Sequence, residues 1–132
     1  MIPGIETFYD RIAYSIQGAI DENWTTATMD AIFFDDSITF FGEYTTSDGR
    51  VMGFGTTRDG QRAFQELRQK FADSGKPLWG QATFEMNAEG KFTMNWGYEN
   101  CDENGDTIFD EEREHQREDN RRKRLIAGAK QS

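Results

Sequence analysis

Apolar residues at the start of the chain recur at helical spacing. Ile5, Phe8, Ile12, Ile16 and Ile20 fall three or four positions apart, which puts them on one stripe of an α-helix. Tyr9 and Ala13 widen the stripe, and Pro3 is compatible with a first helical turn. The spacing predicts a helix from about Pro3 to Ile20. Asp21-Glu22-Asn23 then breaks the pattern, and the period changes to two. Ala27, Met29, Ala31 and Phe33 alternate with Thr26, Thr28, Asp30 and Ile32, the signature of a half-buried strand.

Asp35-Asp36-Ser37 has turn composition. Beyond it, Ile38, Phe40 and Tyr44 alternate with Thr39, Phe41 and Glu43. Ser47-Asp48-Gly49 is a second turn, and a short strand from Arg50 to Gly55 carries Val51, Met52 and Phe54. The short connections predict an antiparallel meander. Thr57 has the chemistry of a helix N-cap, and Ala63, Phe64, Leu67 and Phe71 supply the apolar face of the helix that follows. Gly60 is a weak spot early in that helix. Ser74-Gly75-Lys76-Pro77 ends it, with glycine after the last turn and proline beyond.

The clearest alternation comes next. Ala82, Phe84 and Met86 share one face against Gln81, Thr83 and Glu85; after the turn Asn87-Ala88-Glu89-Gly90, Phe92, Met94, Trp96 and Tyr98 do the same against Lys91, Thr93, Asn95 and Glu99. This predicts a hairpin with an aromatic inner face. Asp102 to Asp106 reads as a loop, with Ile108-Phe109 anchoring the chain after it. A polar helix over about 110–127 and a frayed tail at 128–132 complete a single domain spanning 1–132. The order α-β-β-β-α-β-β-α predicts an α+β fold: one antiparallel sheet, helices packed on one face, the other face open to water.

Composition changes this picture in two ways. Eleven Phe, four Tyr and three Trp exclude a disordered chain. One cysteine, Cys101, rules out a disulfide framework, and there is no paired Cys/His spacing for zinc. A reducing, cytoplasmic setting follows. No apolar run approaches the ~20 residues of a membrane helix, and the N-terminus lacks the pattern of a secretory signal.

Charge narrows the function. The net charge is −9. Residues 113–132 carry seven Lys/Arg against three Asp/Glu, leaving the first 112 residues at −13. So negative a body repels nucleic acid and anionic lipid and attracts basic proteins. Neither nucleic acid nor membrane is expected as a direct partner. The run Arg121-Arg122-Lys123-Arg124 suits the C-terminal end of a helix, where cations complement the dipole.

Catalytic chemistry finds little support. His115, the sole histidine, sits in the polar stretch Glu114-His115-Gln116-Arg117 with no positioned nucleophile nearby in sequence. Asp35-Asp36 reads as a turn. Asp102-x-Asn104-x-Asp106 has the first ligand spacings of a calcium loop, but Thr107 stands where a glycine is required and Arg113 where the bidentate glutamate belongs. Gly53-Phe54-Gly55 precedes a helix without the further glycine or lysine of a phosphate loop. No metal, no cofactor and no catalytic residue is expected. What remains is a protein-binding surface. Glu43, Glu85 and Glu99 fall on the outward face of the predicted sheet, with Asp102, Glu103 and Asp106 beside it, and together they form the candidate partner-binding set.

Two segments resemble a known family. Phe8-Tyr9-Asp10-Arg11-Ile12-Ala13, running on to Ala19-Ile20-Asp21-Glu22-Asn23-Trp24, is similar to the opening of the YezG-like immunity proteins. Pro77-Leu78-Trp79, Phe84-Glu85-Met86, Glu89-Gly90-Lys91-Phe92 and Trp96-Gly97-Tyr98-Glu99 resemble that family's second signature. The likeness spans about residues 5–112; the middle, from Asp35 to Gly60, matches only in pattern, and the charged stretch 113–124 departs from the family. The resemblance implies an antidote protein of bacterial polymorphic-toxin and contact-dependent inhibition systems. Such a protein binds a cognate toxin domain, often a basic nuclease, and blocks its active site or substrate surface. It implies no catalytic motif. The competing expectation is an acidic secretion chaperone, which shares the size, charge and element order and binds an extended effector segment.

Overall fold

A computed structural model of the chain describes residues 2, 4–99 and 101–108. Helix α1 spans Ile5–Ala19, close to the predicted bounds. Phe8, Ile12 and Ile16 are buried along its stripe, Ile20 is buried just beyond its end, and Tyr14 points away from it at 77% exposure. Strand β1 runs Trp24–Phe33, β2 runs Ile38–Thr46 and β3 is the short Val51–Gly53. Helix α2 covers Arg58–Asp73, and the hairpin β4 (Gln81–Asn87) and β5 (Phe92–Gly97) follows. The fold is α+β, with seven elements among the described residues, in the predicted order. The expected last helix at 110–127, with Phe109, His115 and the run 121–124, lies outside the described residues.

The five strands form one sheet in the order β3-β2-β1-β4-β5, every pair antiparallel. The meander β1-β2-β3 is as predicted. After α2 the chain returns to the far side of β1, so the first strand becomes the centre of the sheet. Its alternation then matters twice over. Ala27 faces Tyr44 and Met86, Met29 faces Gly42 and Phe84, and Ala31 faces Phe40 and Ala82. All lie on the face covered by both helices. Ala27 and Ala31 on the central strand leave room for large side chains from its neighbours and from α1 and α2, and Gly42 makes the room for Met29. Tyr9 of α1 packs on Phe92 at 5.2 Å, Phe64 of α2 on Phe40 at 6.3 Å, and Phe71 of α2 on Trp96 at 5.0 Å.

Local signals place the helix ends. Thr57 caps α2 by accepting from the Gly60 amide at 3.2 Å. Gly75, at φ 68°, closes the helix: its N–H reaches Ala72 O at 3.1 Å while Lys76 N–H reaches Phe71 O at 3.0 Å. This pair of bonds is the Schellman arrangement, and it needs a left-handed residue. Gly60 has a tertiary reason as well. A Cβ there would collide with Ser15 Oγ on α1, so glycine lets the two helices touch.

Two expectations about faces need correction. The helix-free face is not uniformly open to water: Ile32 is 2% exposed and Glu43 7%. Glu43 lies in a row with Gly53, Thr28 and Glu85 across four strands. Thr28 on the central strand stands roughly 5 Å from Glu43 on one side, and the β3 backbone at Gly53 flanks it on the other. The inner face of β5 is also less covered than its alternation suggests. Phe92 and, just past the strand, Tyr98 are 41% and 49% exposed, because β5 is an edge strand with a neighbour on one side alone.

Candidate partner-binding surface

The register divides the six candidate carboxylates into two groups. Glu43 and Glu85 flank Thr28 in one row of the helix-free face. Asp30, two residues along β1, adds a third carboxylate and accepts from Thr83 Oγ1 at 2.5 Å. Glu85 is exposed; Glu43 is buried and presents little to a partner. Glu99, Asp102, Glu103 and Asp106 lie past the end of β5. At roughly 3.3 Å per residue, they begin about 20 Å along the strand direction from Glu85. The six do not converge on one patch.

In the second group, two residues already have structural work. Asp102 Oδ1 accepts the backbone N–H of Asn104 at 2.9 Å and of Asp106 at 3.0 Å, which folds the loop on itself. That geometry gives Asp102-x-Asn104-x-Asp106 its spacing without a cation. Among the described residues, no group of three or more His, Cys, Asp or Glu is placed to hold a metal ion. Asp106 binds Arg68 Nη2 at 3.1 Å. Glu99 and Glu103 remain exposed. Of the candidate set, Glu85, Glu99 and Glu103 are therefore the carboxylates offered to solvent without a side-chain bond among the described residues.

Arg68 organises this end of the molecule. From α2 its Nε donates to Trp79 O at 2.9 Å and its Nη2 to Gly105 O at 2.6 Å, in addition to Asp106. Its guanidinium lies 4.7 Å above the Phe33 ring. A planar fork with several donors makes all these contacts at once; a lysine ammonium does not. One side chain thus ties α2, the end of β1, the entry to β4 and the 102–107 loop together. Thr107 completes the tie: its N–H donates to Phe33 O at 2.7 Å and its hydroxyl to Gly80 O at 3.0 Å.

Beside this hub runs an open groove of about 1040 Å³ between the β1–β2 connection and α2. Phe34, Asp35, Asp36, Gln65 and Leu78 are among the residues that line it. Asp35 and Asp36 do form the connection expected of them, closed by Phe34 N–H to Ser37 O at 2.8 Å. What the alternation pattern missed is that β1 is central and α2 passes alongside. Those two facts turn a hairpin tip into one wall of a concavity.

The opposite end of the sheet carries a closed ion network. Tyr44 donates to Glu22 Oε2 at 2.5 Å, Arg50 reaches Glu22 Oε1 at 3.2 Å, and Arg50 Nε bonds both oxygens of Asp48 at 3.2 Å. Thr46 Oγ1 also donates to Asp48. The hydrogen bond to Glu22, then burial and the nearby negative charge, push the Tyr44 hydroxyl up to about 12. The Thr46 hydroxyl and Arg50 hold the Asp48 carboxyl below the usual range. These groups bond one another at the surface.

The segment that supplies Arg68, the α2 wall of the groove and the 102–107 loop is also the segment that known proteins share; the β1–β2 wall with Asp35 and Asp36 lies outside it. The family profile of the YezG-like immunity proteins matches residues 54–119, half of the chain. It begins at Phe54, whose ring covers Gly42, and runs through α2, β4, β5 and the 102–107 loop. The chain belongs to the YezG-like immunity protein family. No curated protein sequence matches it. In YezG-like terms, the matched span contains the second signature, from Pro77 to Glu99. Its anchor is structural: Trp79 is fully buried against Phe33, Phe71 and Trp96, while Glu85 and Glu99 of the same signature are exposed. The opening signature, Phe8 to Trp24, precedes the match. Neither described helix is long and apolar enough to cross a membrane.

Proposed function

We propose that this YezG-like protein binds and neutralises a cognate bacterial toxin domain in the cytoplasm, and that it acts by occlusion and not by catalysis. The family match across α2, β4 and β5 carries this reading. Charge supports its finer part. A nuclease toxin must attract phosphate, so its substrate surface is basic. The body of this chain is strongly acidic, with Glu85, Glu99 and Glu103 exposed on it. Opposite potentials steer two such surfaces together and speed their encounter. A nuclease is therefore the toxin class that fits, and its substrate surface is the region most directly covered.

The test is co-expression with the polypeptide encoded beside this chain's gene. Growth arrested by that polypeptide should return when the chain is present, and the two should co-purify one to one. A neighbour that kills equally well with and without the chain, and does not bind it, removes the proposal. Turnover of a small molecule by the purified chain would also remove it.

A further inference from the structure

Building on the immunity reading, we infer that the groove between the β1–β2 connection and α2 is where the toxin docks, by inserting a segment that carries a basic side chain. Three features of the groove lead there. Its volume, about 1040 Å³, lies at the upper limit of the roughly 300–1,000 Å³ that serves single small molecules. It is open to solvent, with Asp35, Asp36, Gln65 and Gln69 among its lining, which suits a stretch of polypeptide better than an enclosed metabolite.

Its charge selects the sign of the occupant. Arg68, the cation in the lining, is already committed to Asp106, to two carbonyls and to the Phe33 ring. Asp35 and Asp36 are exposed on the opposite wall and have no hydrogen-bond or ion-pair partner among the described residues. Among the described residues, the groove therefore offers two carboxylates with no cation paired to them. Phe34 and Leu78 provide apolar surface for the stem of an arginine or lysine, and Gln65 of α2 adds an amide to the lining, a group able to bond a peptide backbone. A nucleic acid or an anionic ligand meets repulsion at the same place.

The third feature is rigidity. Arg68 pins four separate segments behind the groove, and Thr107 reinforces the pin. A wall held this way changes little on binding, so little ordering cost subtracts from the affinity.

The experiment measures binding of the polypeptide encoded beside this chain's gene, by titration calorimetry, together with growth protection. Four forms of the full chain are compared: wild type, Asp35→Lys/Asp36→Lys, Gln65→Trp, and the charge-matched pair Asp21→Lys/Glu89→Lys at the other end of the sheet. Thermal melts establish that each is folded. Reversing the paired carboxylates and filling the groove should each weaken binding roughly 100-fold, as expected for a hot spot, while the remote pair changes it less than about 5-fold. If both groove variants bind and protect like wild type, the groove assignment is wrong and the immunity reading stands. Equal weakening by the two charge reversals, with no effect of Gln65→Trp, overturns the groove in favour of a diffuse field. A wild-type chain that binds nothing overturns both.

Discussion

Arg68 on α2 meets Asp106 at 3.1 Å, joining positions 38 residues apart through a pair whose side chains are only 15% and 21% exposed. The contact matters because the same guanidinium also satisfies Trp79 O and Gly105 O. Removing it leaves a carboxylate and two carbonyls without their donor.

Arg68→Met should therefore destabilise the fold by about 2–4 kcal/mol, in the range for breaking a largely buried, hydrogen-bonded pair. Arg68→Lys should recover less than half of that, since an ammonium cannot span the fork. Urea unfolding midpoints at constant slope measure both. A wild-type midpoint in Arg68→Met would mean the hub is not holding the 102–107 loop.

Gly60→Ala tests the contact between the helices. Alanine improves helix propensity by about 1 kcal/mol, but its Cβ would press on Ser15 Oγ and lie 3.4 Å from the Met29 methyl. Overpacking of this kind costs about 1–3 kcal/mol and should win. Adding Ser15→Gly relieves the clash, so the double variant should be more stable than Ser15→Gly alone. Simple additivity of the two changes in a double-mutant cycle would contradict the close approach.

The alkaline limb of stability should depend on Tyr44. Its hydroxyl is raised from the ordinary value near 10 to about 12 in the folded chain, chiefly by its bond to Glu22. A group raised on folding contributes stability that is complete below the unfolded value and is lost as pH climbs through the folded one. Wild type should thus lose stability relative to Tyr44→Phe between about pH 10 and 12. Below pH 10, Tyr44→Phe should itself be less stable by about 1–2 kcal/mol for the missing hydrogen bond. Ultraviolet titration should show a tyrosine ionising near 12 in wild type and not in the variant.

Association with the toxin should be steered by charge. Raising salt from about 0.05 to 0.5 M shortens the screening length to a few ångströms and should slow the on-rate at least about 10-fold, with a smaller change in the off-rate. Glu85→Lys, Glu99→Lys and Glu103→Lys together should lower the low-salt on-rate and flatten its salt dependence. Stopped-flow mixing reads both. An on-rate indifferent to salt would rule out steering by the acidic body.

The elements and their apolar faces were legible along the chain because helical and strand periods are local. Ile5 to Ile20 and Ala27 to Phe33 each state their own buried side, and Thr57 and Gly75 mark the helix ends by the backbone chemistry those positions demand. The partners of those faces were not legible. Nothing near β1 announces that β4, whose residues pair with it across separations of 49 to 61 positions, will lie beside it, because pairing depends on which apolar surfaces fit once the whole chain closes. That one long-range choice makes β1 central, brings the 102–107 loop and α2 to its end, turns Asp35 and Asp36 into a wall and assigns Asp106 to Arg68. Alternation placed Glu43 on the correct face of its strand, but its burial follows from what the folded chain brings around it, and only the tertiary structure supplies that.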